Sequence, residues 1–173
     1  MTNERRQAIN DFAGKIRELF AVATDEPIGK FGDIVARLGG RIEETSKDYL
    51  YEQVVKKSSE SFTIYLDKTG AYSSEQQRFT TAHELGHLLI HMGYGTKNWD
   101  SVNIGDNYNK VLGIYSIVEE EADEFAAAFL MPEEGFIKVA KESSNDIEEI
   151  AKHFNVAVID AKKRGRCLGI WGR

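Results

Sequence analysis

The chain has 173 residues, of which 42% are hydrophobic and 29% charged, and its formal net charge is −6. This length and composition predict one soluble globular domain with room for a small appendage, and the negative charge argues against general affinity for nucleic acid. No apolar run is long enough to span a membrane. The first residues lack the apolar core of a secretory signal, and the lone Cys167 cannot form an internal disulfide. We therefore expect a cytoplasmic protein.

The N-terminal half is predicted to contain two helices followed by three strands. Apolar residues at helical spacing indicate a helix over 3–22, and a second helix is expected within 27–40, where a proline opens and two glycines close the segment. The pattern then changes to short segments rich in β-branched and aromatic residues, at 41–45, 49–56 and 61–67. The polar breaks between these segments predict a small antiparallel meander.

The pattern HExxH occurs at residues 83–87, in a segment whose periodicity is helical. His83 and His87 would be separated by ~40° around the helix axis and ~6 Å along it, so both imidazoles can face one point. A tetrahedral zinc ion needs such a pair of ligands, and Glu84 would lie beside the ion as general base for the attacking water. A chance match is the alternative, because the pattern specifies few positions.

This helix is predicted to run from Ser74, with Gln77 completing a capping box, to Met92. His91 continues the spacing of the two motif histidines. No glycine interrupts the helix before it, so His91 would lie ~12 Å along the axis from His83, too far to share one zinc ion. We therefore expect His91 to be a second-shell or surface residue.

Residues 93–115 form a long connection rich in glycine, asparagine and aspartate. A connection of this length inside a compact domain is usually functional or disordered, so it is either a lid over the site or a surface excursion. A peptidase also needs a donor that stabilises the tetrahedral oxyanion. The candidates, which the sequence does not rank, are Tyr94, Tyr108, Tyr115 and His91.

Catalytic zinc normally has three protein ligands, so one is still missing from the motif. The next helix is expected between Ser116, as N-cap, and Pro132. On an idealised wheel Glu119 lies on the apolar face with Ala122 and Leu130. The neighbouring acids that point away from this face are Glu120, Glu121 and Glu124.

Burying a carboxylate on an apolar face is costly unless a partner compensates for it, and a metal ion would do so. This favours Glu119 as the third ligand, with Glu121 as the reserve candidate. The alternative for Glu119 is a capping box with Ser116, which needs no metal. One helical turn after Glu119, Asp123 can accept a hydrogen bond from the far nitrogen of a ligating histidine, as a second-shell residue.

The HELGH motif at 83–87, the Glu-x-x-Ala-Asp segment at 119–123 and the run FAAAFLMP at 125–132 together resemble the ImmA/IrrE family of zinc metallopeptidases. The resemblance covers roughly residues 30–165. It implies a zincin-like α+β fold with a small antiparallel sheet, an HExxH active-site helix, a third-ligand helix and a C-terminal helical hairpin. Many members have asparagine where this chain has Asp123, and either residue can orient a histidine.

The resemblance also implies the residues of the site and a biological role. The implied site has one Zn²⁺ per chain, held by His83, His87 and Glu119, with Glu84 as catalytic base. Members of the family occur in bacteria and their mobile elements and are implicated as anti-repressors that cleave helix-turn-helix repressors. The expected function is therefore a zinc-dependent endopeptidase of narrow specificity. The alternative is a regulator that binds a repressor or DNA without cutting it.

Residues 144–165 are predicted to form two short helices with a turn at Asn155, a residue that tolerates left-handed geometry. The segment resembles a helix-turn-helix, and basic residues follow in its second half, at 162–166. It is either a module that contacts DNA or a partner, or a hairpin that packs on the peptidase. Nearby acids disfavour DNA. The expected division is a peptidase domain at 1–142 and this extension at 143–173.

Overall fold

The computed structural model describes residues 1–45, 52–68, 73–107 and 117–171. Within them the α+β class is confirmed, with eight α-helices and a three-stranded sheet. The chain divides into two compact units. One comprises Lys30–Asp123, and the other combines Met1–Gly29 with Glu124–Arg173. The expected division at residue 142 stays a prediction. Every helix among the described residues is too short or too polar to cross a lipid bilayer.

The sheet lies in the unit Lys30–Asp123, after a short helix α2 (Phe31–Arg37). Its strands are β1 (Arg41–Thr45), β2 (Gln53–Lys56) and β3 (Phe62–Asp67). The spatial order is β1-β3-β2, with β1 parallel to β3 and β2 antiparallel to it. The predicted antiparallel meander is therefore wrong in two respects, the order of the strands and the direction of one pairing. β3, the longest strand and a largely buried one, takes the centre, with the half-exposed β1 beside it in parallel.

Helix α3 (Ser74–Gly86) follows the sheet and carries most of the HExxH motif. Its capping box is formed by Ser73 and Gln76, one residue earlier than predicted for each partner. At its C-terminal end the helix continues as a π-helical turn over His87–His91, in which the backbone N–H of Met92 donates to the carbonyl of His87. An uninterrupted α-helix was predicted over these residues, so this wider turn is a correction.

The edge of β2 is covered by the segment that follows helix α4 (Lys97–Asp100). Val55 forms an isolated bridge to Asn107, and the backbone of Lys56 pairs with Gly105 and Asp106. The buried ammonium of Lys56 donates to the carbonyls of Trp99 and Val102, at 2.6 and 2.8 Å. These contacts fix the far end of β2. The part of the predicted lid at 108–115 lies outside the described residues.

Helix α5 (Ile117–Leu130) begins in this unit and ends in the other. It ends before Pro132, as predicted. The predicted N-cap, Ser116, lies outside the described residues. Most of its side chains from residue 121 onward are buried, and Asp123 is the exposed exception. Because α5 is enclosed around most of its circumference, it has no broad polar face.

The second unit consists of α1 (Asn3–Leu19), the end of α5, α6 (Glu133–Glu142), α7 (Ile147–Phe154) and α8 (Val158–Cys167). The turn between α7 and α8 places Asn155 in the left-handed region, with φ 53°, as predicted. Inside the unit, Arg17 is almost fully buried and its guanidinium donates to the carbonyl of Phe129 at 2.7 Å.

A buried ion cluster joins three helices of the same unit. Glu124 accepts from the guanidinium of Arg164 at 3.1 Å and from that of Arg6 at 3.1 Å. Asn10 donates to Glu124 at 2.7 Å and accepts from Arg164 at 2.7 Å. The predicted basic segment at 162–166 is therefore not uniformly exposed, because Arg164 is 3% exposed and committed to this cluster.

Candidate metal centre

The two motif histidines face one point, as the helical spacing predicted. The Nε2 atoms of His83 and His87 are 2.9 Å apart, and their rings meet edge to face with centroids 4.6 Å apart. His87 is buried, while the side chain of His83 is 17% exposed. Two neutral imidazoles with Nε2 atoms this close can both direct a lone pair at a shared cation.

Glu119 supplies a third donor at the same point. Its Oε2 atom lies 3.1 Å from Nε2 of His83, and its Oε1 atom lies 3.5 Å from Nε2 of His87. A tetrahedral ion with nitrogen and oxygen ligands at about 2.0–2.1 Å separates any two ligand atoms by roughly 3.3 Å. The separations of 2.9 Å between the two Nε2 atoms and 3.1 Å between His83 and one carboxylate oxygen lie close to this value, and the other carboxylate oxygen lies 3.5 Å from His87. The side chains present therefore fit a zinc ion with a His₂Glu ligand set.

The charges of the metal-free site follow from these contacts. Burial lowers the pKa of His83, but hydrogen bonds with Asp123 and Glu119 outweigh it and raise the pKa to about 10. The hydrogen bond from His83 holds the pKa of Glu119 below its usual range. Burial, together with the charge on His83, lowers the pKa of His87 to about 3. Without a metal, the proton shared within the site thus resides on His83, and a binding cation would replace it.

Glu84 lies beside the two histidines. One ligand atom from each of His83, Glu84 and His87 lies within 4.8 Å of the others. Burial raises the pKa of Glu84 to about 7, although the backbone N–H of Val54 in β2 donates to its carboxylate and opposes the shift. A carboxyl group with a pKa near neutrality can both accept and release a proton at physiological pH.

The structure places Asp123 behind His83. Its Oδ1 lies 2.9 Å from Nδ1 of His83, and 60% of the Asp123 side chain is exposed. With the lone pair of Nε2 directed at a cation, Nδ1 carries the hydrogen and donates to this carboxylate. Such a bond fixes the tautomer and the plane of the ring.

His91 and Glu121 lie behind His87. Nδ1 of His91 is 3.0 Å from Nδ1 of His87, and Nε2 of His91 is 3.2 Å from Oε2 of Glu121. Glu121 was predicted to point away from the apolar face together with Glu124, and both expectations are wrong, since both residues are buried. An idealised wheel assumes one buried arc, whereas α5 is buried on several sides. Glu120 is exposed, as predicted.

The candidate oxyanion donors are not all placed by the structure. Tyr94 packs on Phe62 and Trp99, and its hydroxyl donates to the carbonyl of Leu38 and approaches that of Glu60 at 3.3 Å. These contacts lend no support to a role for Tyr94 at the metal centre. Tyr108 and Tyr115 lie outside the described residues, so their roles, like that of His91 as a donor, stay predictions.

The interaction of Glu121 with His91 was missed because the two residues are 30 positions apart and lie on different helices. A signal was nevertheless present. The histidines His83, His87 and His91 repeat at intervals of four residues, and two acids, Glu119 and Glu121, lie near the start of one later helix. The third histidine on this helix face can donate to a carboxylate, and Glu121 provides one.

Comparison with known proteins bears on both fold and family. A solved structure described as a Mycobacterium tuberculosis transcriptional regulator superposes with a TM-score of 0.59 at 14% identity. The match covers 92% of this chain and 46% of that chain, so this chain spans less than half of its length. At this identity the likeness shows the fold alone. Among curated proteins, none matches the sequence significantly.

A sequence model of a peptidase family, described as the IrrE N-terminal-like domain, matches residues 57–164. The match includes the HExxH motif and the whole of α5. It supports the predicted zincin-like fold as well as the resemblance identified from the motifs. Because the matched residues make up more than half of the chain, this protein belongs to the IrrE N-terminal-like domain family of peptidases.

Proposed function

We propose that the chain is a cytoplasmic, zinc-dependent endopeptidase of narrow specificity. The observation that carries this proposal is the mutual spacing of His83, His87 and Glu119, which suits a tetrahedral ion, with the buried Glu84 next to it. Membership in a peptidase family supports it. When bound, zinc would supply Lewis acidity that polarises the scissile carbonyl and the attacking water.

Glu84 would carry the proton transfers. Its carboxylate takes a proton from the water as the oxygen attacks the carbonyl carbon, and the carbonyl π electrons move onto the oxygen. The carbon–nitrogen bond then breaks, and Glu84 delivers the proton to the leaving amine. The hydrogen bond from the backbone N–H of Val54 holds the Glu84 carboxylate in place. His83, His87 and Glu119 hold the ion through all of these steps.

The proposed substrate is a helix-turn-helix repressor or a similar regulatory protein. This part of the proposal comes from the family resemblance. The direct test is incubation of the zinc-loaded protein with the repressor encoded nearest its gene, followed by a gel readout of discrete fragments. We expect cleavage at one or a few positions. Absence of fragments with a fully zinc-loaded protein and several such repressors would contradict the substrate class.

Glu84→Gln separates chemistry from metal binding. The amide has nearly the same shape but cannot accept the proton, so we expect hydrolysis to be lost while one zinc per chain is retained. Zinc is measured by elemental analysis, and cleavage by the same gel assay. Turnover by a zinc-loaded Glu84→Gln protein would rule out the mechanism. A His83→Ala/His87→Ala double variant is the matched control, since it should lose both zinc and cleavage.

A second candidate function is a regulator that binds a repressor or DNA without cutting it. The structural neighbour is described as a transcriptional regulator, and the exposed face of α8 combines apolar and basic side chains. This face comprises Val158, Ile159, Lys162, Lys163 and Arg166. A salt-dependent mobility shift with duplex DNA, weakened by Lys162→Ala/Lys163→Ala, would support this function. The net charge of −6 disfavours it.

A further inference from the structure

A buried chain of three side chains extends from the metal centre. It runs from His87 through His91 to Glu121, with contacts of 3.0 Å and 3.2 Å. The exposed fractions of the three side chains are 3%, 7% and 10%. Hydrogen bonds in such surroundings are stronger than those exposed to water, and an unmatched polar group there is costly. The chain therefore needs one consistent assignment of its hydrogens.

Chemistry allows one such assignment for neutral rings. If Nε2 of His87 binds a cation, the hydrogen of that ring is on Nδ1 and must be donated to Nδ1 of His91. Nδ1 of His91 is then the acceptor, so its own hydrogen is on Nε2. That hydrogen is donated to Oε2 of Glu121, a carboxylate that can only accept when ionised. Each contact thus has one donor and one acceptor.

The two rings lie on the π-helical turn. In an α-helix, residue i+4 is rotated by ~40° from residue i and lies on the same face of the helix. The wider turn, with its i→i+5 hydrogen bond from Met92 to His87, changes this angle and keeps His91 on the same face as His87. A turn of this kind is rare and is frequently found at functional sites.

We propose that His91 and Glu121 are positioning residues that fix the tautomer and ring plane of His87 for zinc binding, an inference that rests on the zinc site of the proposed function. Glu121 is connected to the proposed position of the ion through the imidazoles of His91 and His87, whereas Asp123 is connected to it through His83 alone. Glu121, the reserve candidate for the third ligand, therefore has a different role. It helps to orient the ligand His87 without contacting the ion.

The test measures zinc affinity by competition with a chromophoric chelator on the intact chain. His91→Phe preserves a ring of similar size but has no acceptor for His87, and we expect zinc affinity to fall about 10–100-fold, the usual cost of losing an outer-shell partner. His91→Asn places an amide oxygen near the position of Nδ1, so it should recover most of this loss although it no longer reaches Glu121.

Two further variants test the contact between His91 and Glu121. Glu121→Gln keeps an oxygen that can accept from Nε2 of His91, so we expect only a small loss of zinc affinity. Glu121→Leu removes this acceptor oxygen, and the loss should approach that of His91→Phe. Glu120→Leu is the matched control, because Glu120 is the preceding acid of the same helix and is exposed. It should leave zinc affinity unchanged.

The tautomers are read directly from nitrogen chemical shifts of ¹⁵N-histidine in the zinc-loaded protein. We expect a hydrogen on Nδ1 of His87 and on Nε2 of His91. In Glu121→Leu, the hydrogen of His91 should no longer be confined to Nε2. A purely structural role would not predict these assignments. The same spectra of each variant report whether it is folded.

The outcomes separate the two proposals. If wild-type protein binds one zinc but His91→Phe and Glu121→Leu bind it equally tightly while folded, the positioning role is overturned and the peptidase proposal stands. A hydrogen on Nδ1 of His91 in the zinc-loaded protein would overturn it as well. If wild-type protein binds no zinc, both proposals fail. Reduced affinity in both variants, with rescue by His91→Asn, supports the positioning role.

Discussion

Helix α5 pairs its acidic side chains in two contrasting ways. Near its start, Glu119 and Glu121 are paired with histidines, at 3.1–3.5 Å and 3.2 Å. One turn further on, Glu124 is paired with the guanidinium groups of Arg6 and Arg164. All of these contacts compensate the cost of removing a carboxylate from water. They differ in whether the partner side chain can lose its proton.

An arginine remains charged at any physiological pH, so Glu124 is neutralised permanently and its cluster needs no ligand. A histidine can give up its proton and offer a lone pair, so the acids at the start of α5 belong to a site that can exchange a proton for a metal ion. The chemical type of the partner therefore separates a structural buried acid from a functional one. The location of the acid on the helix does not.

Removing Glu119 should have the largest effect on function. In Glu119→Ala the two histidines remain, but the third donor is gone, and we expect loss of stoichiometric zinc and of cleavage. Stability without metal should change little, because Glu119 is partly exposed and its ion pair is solvent-screened. Elemental analysis and denaturant titration in a chelator measure the two quantities. A Glu119→Ala protein that retains one tightly bound zinc would contradict the ligand assignment.

Removing Glu124 should lower the stability of the protein and leave its zinc binding intact. Glu124→Ala leaves Arg164 buried with no carboxylate, and breaking such a pair typically costs about 3–5 kcal/mol of unfolding free energy. We expect this loss in urea titration of the metal-free protein, with zinc stoichiometry retained in the folded fraction. The control is Glu120→Ala, at an exposed position of the same helix, whose effect should lie within about 0.5 kcal/mol. Equal stability of the two variants would contradict a structural role for the pair of Glu124 and Arg164.

A smaller effect is expected at Asp123. Its carboxylate orients His83 directly but is largely exposed, so Asp123→Ala should lower zinc affinity about 10-fold, at the lower end of outer-shell effects, with little change in stability. Asp123→Asn keeps an oxygen that can accept from Nδ1 and should lie close to wild type. Chelator competition distinguishes the two. If both variants lose affinity equally, the charge of Asp123 matters more than its acceptor.

The proximity of the motif side chains and Glu119 could be predicted from the sequence. The placement of His83, Glu84 and His87 depends on the regular spacing of a helix, and Glu119 was selected by the same periodicity. Boundaries were less accurate, as shown by the capping box at Ser73 rather than Ser74. Local hydrogen bonding tolerates a shift of one residue, and the sequence offers serines at both positions.

Features that depend on distant partners were not predicted. The burial of Glu121 and Glu124 follows from His91 on another helix and from arginines far apart in the chain. The parallel pairing of β1 with β3 joins residues about 20 positions apart, and alternation along a strand does not specify the partner or its direction. The π-helical turn has no signal in composition, because its residues also suit an α-helix.

The strand order has a consequence for the sequence of folding events. β2 and β3 are joined by a tight turn at residues 57–61, in which the N–H of Lys57 donates to Ser61, whereas Arg41 of β1 pairs with Thr63. Closing the shorter loop costs less entropy, so the hairpin should form first and β1 should join later. Val54, which binds the carboxylate of Glu84, belongs to the early hairpin. In pulsed hydrogen exchange, amides of β2 and β3 should be protected before those of β1.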